Sequence, residues 1–236
     1  MFRALRSVAV ASSLASLAIG SAAIAGPIWE GDTESDAKQN PDDAQVITTE
    51  GSVALIKGRL TGSSLMGNVD YIDMYLLNIS TPAALRISTA GGQFGGGAAF
   101  NSQLFLFQAV QNSQGQFVAR GLLANNDISG ENSGSLLTNA ANDGSQFVLG
   151  QPGLYFLAIT TSGINARNAN GGPIWPALNQ PGVSSFGNFQ NFANWAGDPA
   201  GGAGDYEIRV EGITGVPAPG ALALLGLAGL RPRRRR

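Results

Sequence analysis

The side chains able to do chemistry are defined first by two absences. Among 236 residues there is no histidine and no cysteine, which excludes a Ser-His-Asp triad, a cysteine nucleophile and any Cys/His zinc site. Carboxylates, Lys38, Lys57 and the serines remain. Two carboxyl groups across a cleft would suit glycoside hydrolysis, but Asp127 and Glu131 flank a Gly/Ser loop and read as turn residues. Ser35 and Lys38 stand at Ser-x-x-Lys spacing, but the Ser-Asp-Asn and Lys-Thr-Gly elements that accompany that motif in serine hydrolases do not occur, so the spacing reads as part of a polar stretch. A non-catalytic protein is the expectation. The aromatic residues offer a second kind of chemistry. Phe186, Phe189, Phe192 and Trp195 recur every third residue after Ser184 and Ser185, and Trp175 stands between Ile174 and Pro176. These rings, Trp175 and Trp195 above all, either form a platform for sugar rings or fold under their loop and plug one end of the domain. The second is expected if the two serines cap a short helix, because a helical aromatic stripe is usually core.

The two ends read as addresses. Arg3 and Arg6 precede an apolar run over 7–24, with small residues Ala23 and Ala25 before Gly26. That is the order of a secretory signal peptide, with cleavage expected between Ala25 and Gly26. At the other end Val216, Pro217, Ala218 and Pro219 precede eleven apolar residues and a cluster of five arginines. Eleven residues span only about 16 Å as a helix, against about 30 Å of hydrocarbon, too little for a stable anchor. This three-part tail, over 214–236, resembles the PEP-CTERM sorting signal of exported bacterial proteins. The resemblance implies export machinery, a sorting helix in transient contact with the membrane, and processing by an exosortase-like enzyme. Ala218 stands where that family has the glutamate of Val-Pro-Glu-Pro.

Charge follows the same division. The chain holds 14 basic and 16 acidic residues, and seven arginines lie in the two ends. The remaining body carries seven basic residues against 16 acidic ones, a net charge of −9. Nucleic acid is therefore a poor partner.

The elements that must position these groups read as β-structure. Residues 26–50 hold seven acids and one base, a polar arm or linker rather than core. Period-two alternation begins after it and continues to residue 213. Strands are expected over 52–60, 71–80, 84–89, 103–110, 117–124, 146–149, 154–161 and 205–213. In the last, Tyr206, Ile208 and Val210 share one face, while Glu207, Arg209 and Glu211 share the other. The run 103–108 is apolar on both faces, as a central strand would be. About eight short strands with Gly-rich turns predict an all-β fold, an antiparallel jelly-roll-like β-sandwich over 51–213. Residues 162–204 form a long insertion with no evident strand.

The landmarks follow one another in a recognisable order. They are Glu34-Ser-Asp36, Asp70-Tyr-Ile-Asp73-Met-Tyr75, Leu104-Phe-Leu-Phe107, Ala124-Asn-Asn-Asp127 with Ser135-Leu136, Gly153-Leu-Tyr-Phe-Leu-Ala-Ile159 and Tyr206-Glu-Ile-Arg-Val210. Together they resemble the bacterial pre-peptidase C-terminal domain over about residues 30–213, with the insertion as the main departure. In some members of that family the acidic arm and the Asp-x-x-Asp strand hold calcium. The resemblance thus implies a calcium site at Asp32, Glu34, Asp36, Asp70 and Asp73. Calcium takes six to eight hard oxygens, and its charge would relieve the repulsion among clustered carboxylates. The alternative is that these are solvated surface acids. The functional expectation is an exported surface or extracellular-matrix protein active in adhesion or matrix organisation, with extracellular polysaccharide as a partner. The other reading is a carbohydrate-binding module that uses Trp175 and Trp195.

Overall fold

The computed structural model describes residues 28–29, 36–49, 51–63, 69–176, 178, 181–185 and 189–216. Ala25 and Gly26, the acids Asp32 and Glu34, Phe186, and Pro217, Ala218 and Pro219 with the apolar tail lie outside the described residues. Val216 lies inside them, half-buried, and its N–H donates to the Ile47 carbonyl at 2.7 Å.

Extended segments follow one another almost without helix. They are β1 (Ile28–Trp29), β2 (Gln45–Val46), β3 (Leu55–Leu60), β4 (Gly62–Ser63), β5 (Val69–Asp70), β6 (Ile72–Ile79), β7 (Arg86–Ser88) and β8 (Gly97–Ala98). After these come β9 (Ser102–Gln111), β10 (Phe117–Asn125), β11 (Leu136–Thr138), β12 (Gly153–Thr161), β13 (Asn165–Arg167), β14 (Asn194–Ala196), β15 (Gly204–Glu211) and β16 (Ile213–Thr214). Two sheets carry the sandwich, one ordered β1-β3-β15-β7-β11 and the other β10-β9-β12-β6-β16. Number the eight principal strands β3, β6, β7, β9, β10, β11, β12 and β15 from one to eight. The sheets then run 1-8-3-6 and 2-7-4-5, the strand order of a jelly roll. The sandwich expected from alternation is present. It is antiparallel except at two short edge pairs, where β1 runs parallel to β3 and β2 parallel to β6.

Those edge pairs change the reading of the arm. Trp29, Ala37 and Ile47 are all buried in the main core, and Trp29 meets Tyr75 edge-on at 5.4 Å. Seven acids made the stretch look like linker, yet these three apolar residues are seated in the core, while of its described acids Asp42 and Asp43 are exposed and Asp36 turns toward Asp70 and Asp73. Two other expectations change. Residues 146–149 form no strand and make only the bridge between Ala140 and Val148, with Val148 at 59% exposure. The sixth strand is instead β11, paired antiparallel with β7.

The sheet containing β9 is buried on both faces. Leu104, Leu106, Tyr155, Leu157 and Ile159 face the sandwich interior. Phe105, Phe107, Phe156 and Ala158 face the other way, under Ile174, Trp175 and Leu178 of the insertion. The insertion is therefore a cover over the outer face of this sheet, not a plug at its end. It has strands of its own, since β13 and β14 pair antiparallel. No helix follows Ser184 and Ser185 among the described residues, and Phe189 has a positive φ of 54°. The free edge of β10 supplies better partners: Ala124 and Ser184 exchange N–H···O bonds of 2.8 Å, and Phe192 N–H donates to Ala119 at 2.8 Å. The contact also shields an otherwise open strand edge. Gly121 permits it, because a Cβ there would lie 2.7 Å from Ile174 Cγ2.

Candidate metal centre

Two breaks in regular structure bring the acids together. In an unbroken strand Asp70 and Asp73 would point to opposite faces. The chain leaves strand geometry at Tyr71, however, so that β5 pairs with β4 while β6 joins the main sheet. In the arm, Lys38 adopts a left-handed φ of 63°, and its carbonyl accepts the Met74 N–H at 2.9 Å. An L-residue reaches that conformation at a cost of about 1–2 kcal/mol. The result is that one carboxylate oxygen each from Asp36, Asp70 and Asp73 lies within 4.8 Å of the others.

Each carboxylate is oriented by the protein. Asp36 accepts from the Lys38 backbone N–H at 3.0 Å and from its ammonium at 3.1 Å. That hydrogen bond, and then the charge of Asp36, hold the exposed Lys38 above its ordinary pKa. Asp70 Oδ2 accepts from the Thr61 backbone at 2.7 Å and hydroxyl at 2.9 Å, while its Oδ1 is buried without a hydrogen-bond partner. Asp73 is 1% exposed and accepts the Tyr206 hydroxyl at 2.5 Å. The Tyr206 hydroxyl also hydrogen-bonds that of Tyr75. Burial first, then the neighbouring Tyr75 and the charge of Asp73, push the Tyr206 phenol well above its ordinary range. It therefore remains a donor throughout the neutral range.

The donor set is entirely oxygen, which suits calcium or magnesium rather than zinc or copper. Among the described residues, the three carboxylates converge beside the Lys38 ammonium, which lies 3.1 Å from Asp36. The orphaned Asp70 Oδ1 is an acceptor without a donor, as a metal ligand is before binding. Of the five acids expected, three converge and two lie outside the described residues. Composition did not mark Thr61, Tyr75 or Tyr206 as partners of the site. The one available signal was a pair of tyrosines on core-facing positions, whose hydroxyls need partners when buried.

The aromatic candidates are placed elsewhere. Trp175 is 3% exposed, with its ring 5.4 Å from both Phe105 and Phe107. Trp195 is half-buried, 5.2 Å from Phe105 and 5.0 Å from Phe192, and its N–H donates to the Gln39 carbonyl at 2.7 Å. Trp175 is therefore part of the core, while Trp195 packs against that core and is only partly buried. Asp127 and Glu131 do not form a pair across a cleft: Asp127 accepts from Asn126 at 2.9 Å, and Glu131 is exposed in the turn.

A further carboxylate anchors the insertion. Asp143 accepts from Ser145 N–H at 3.0 Å, Ser184 hydroxyl at 3.1 Å and Ser185 N–H at 2.5 Å. Burial alone raises its pKa, but the hydrogen bonds from Ser145, Ser185 and Ser184 outweigh burial and hold it below the ordinary value. The native state therefore binds fewer protons than the unfolded chain. The resulting stability is complete above the unfolded value of about 3.9 and is lost as pH falls through the lower folded value. Asp143→Ala should reduce stability by about 1 kcal/mol at pH 7. In urea melts across pH, that difference should vanish in strong acid.

With the geometry in place, comparison with known proteins adds no family: no protein-family model matches the chain, and a search of curated proteins finds no match.

Proposed function

We propose that the chain is an exported, non-catalytic jelly-roll protein of the cell surface or extracellular matrix, acting in adhesion or matrix organisation. Its body is a relative of the pre-peptidase C-terminal domain, and calcium, a hard divalent cation, binds at Asp36, Asp70 and Asp73. The observation that carries the cation reading is the convergence of three carboxylates from the arm and the β5–β6 junction, beside an Asp70 oxygen with no partner. A bound cation would fasten the arm to the sheet at the point where Lys38 already joins Met74. In a chain without cysteine, a cation can stabilise an exported domain where no disulfide can. Asp32 and Glu34 are candidates for the remaining oxygens.

Export rests on the two ends. The order of charge, apolar run and Ala23-Ile24-Ala25 favours a cleaved leader. Val216, Pro217, Ala218 and Pro219 with their apolar and basic sequel favour handling by an exosortase-like enzyme. The absence of histidine and cysteine supports a binding or structural role. Extracellular polysaccharide is the surrounding polymer with which an acidic surface protein of this kind would share space, and a divalent cation would moderate repulsion between the two.

Mass spectrometry of the native protein, after separation of membrane, surface and medium, tests the export reading. The expected species begins at Gly26, lacks the arginine cluster and is recovered from surface or medium. A chain retaining Met1 and the arginines in the cytoplasmic fraction would contradict it.

A further inference from the structure

The arm and the root of the tail meet on one edge of β6. β2 runs parallel along that edge, with Gln45 opposite Tyr75 and Val46 opposite Leu76. The Ile47 N–H then donates to the Leu76 carbonyl at 3.0 Å. β16 approaches antiparallel from the other end, with Ile213 opposite Ile79 and Thr214 opposite Asn78. Continued in that register, Val216 would come opposite Leu76, where the arm already stands. Its N–H donates instead to the Ile47 carbonyl, at 2.7 Å.

Two more backbone bonds close the crossing. Val53 N–H donates to the Ile213 carbonyl at 3.0 Å, and Gly215 N–H to the Gly51 carbonyl at 3.2 Å. Between them Ser52 forms an antiparallel bridge with Thr214, whose hydroxyl accepts from the Asn78 amide at 2.8 Å. The chains cross at Gly215, which is buried and close enough that a Cβ would lie 2.1 Å from the Thr49 carbonyl oxygen. Ile47 and Ile213 both sit in the main core, so the crossing parts only by exposing apolar surface. Val216, the last residue so held, is also the first of the motif Val216, Pro217, Ala218 and Pro219.

We propose that the arm is a clasp on the root of the tail, an autoinhibitory contact that must open before an enzyme can act at Val216. A peptide is taken up in extended form through its main-chain hydrogen-bonding groups. Access to a backbone is set by its burial and hydrogen bonding, and at Ile213, Gly215 and Val216 those groups are engaged by the arm or by β6. Docking of the arm and uptake of this segment therefore exclude each other. The use of the clasp in tail processing rests on the export reading; the clasp itself rests on the crossing.

Amide hydrogen exchange of the purified full chain in EDTA tests the clasp apart from both the export and the cation readings. The Val53, Gly215 and Val216 amides should exchange together, at least about a hundredfold more slowly than in an unstructured chain and faster than the amides of β12. Ser52→Cys with Thr214→Cys places a disulfide across a directly opposed pair, in a chain with no other cysteine. That crosslink should slow all three amides at least about tenfold, and reduction should restore the original rates. Unprotected Gly215 and Val216 amides in the wild type would overturn the proposal. So would three amides that exchange at the β12 rate and ignore the crosslink, since no separate opening would then exist. In the native cell the crosslinked chain should keep its arginine cluster where the wild type loses it, and equal loss from both would overturn gating. A wild type that keeps its tail would contradict the export reading and with it the use of the clasp, while the three amides still decide whether the clasp exists.

Discussion

Replacing Trp175 with alanine should lower the unfolding free energy by about 3–5 kcal/mol, the range for removing a large buried aromatic side chain. The indole is nearly inaccessible and touches Phe105 and Phe107 on the outer face of the sheet. Its far edge approaches Gly121 so closely that a Cβ there would lie 3.0 Å from Trp175 Cη2. Alanine would leave a void between a rigid sheet and a cover held to β10 by backbone bonds, which limits collapse around the gap. Domains of this size have total stabilities of about 5–15 kcal/mol, so the loss is a large share of the whole. Trp195 is half-exposed and makes one hydrogen bond to Gln39, and Trp195→Ala should therefore be milder. Denaturant unfolding of the two variants decides the matter. A wild-type midpoint for Trp175→Ala would mean that the insertion is not part of the core.

Tyr206→Phe should have the second largest effect, about 1.5–3 kcal/mol, the range for hydrogen bonds to a charged group. Phenylalanine keeps the edge contact with Phe100 at 6.3 Å and removes only the hydroxyl. That hydroxyl lies between Asp73 and Tyr75 deep in the sandwich. Without it a buried carboxylate loses a donor, and charge in a low-dielectric interior is expensive to leave less well solvated. The loss should be greatest in EDTA. Calcium should shrink it, because a bound cation takes over part of the compensation of Asp73. Urea melts with and without calcium measure both quantities, and identical losses in the two conditions would separate Tyr206 from the cation site.

The parts of this fold that were readable in the sequence are those where burial imposes a period. In β15 the alternation of Tyr206, Ile208 and Val210 with charged neighbours gave both the strand and its inner face. In β9 the absence of alternation correctly indicated burial on both sides. What was hidden depended on length and on distant partners. β11 has only three residues and sits among Ser and Asn, whose role is to lock a turn. The Ser135 hydroxyl donates to the Ser102 and Asn126 carbonyls at 2.6 and 2.7 Å, and Asn125 accepts from Leu136 N–H at 2.8 Å. Composition made that stretch look like loop, and it gave the run 146–149 a strand's appearance that no neighbouring edge supports. The insertion was legible as unusual but not as a cover, because its aromatic spacing suggested a helix while the free edge of β10 offered backbone partners. For the carboxylates, the spacing of Asp70 and Asp73 was visible. The break at Tyr71 and the turn at Lys38 that make them neighbours were not.

Titration calorimetry with calcium is the most direct measurement, applied to the wild-type chain and to Asp70→Asn and Asp73→Asn. One saturable site is predicted for the wild type. The site should be lost in both variants, and the wild type alone should gain about 2.7 kcal/mol of stability at calcium one hundred times the dissociation constant. Absence of calcium binding to the wild type, or undiminished binding in both variants, would contradict a cation site at Asp36, Asp70 and Asp73.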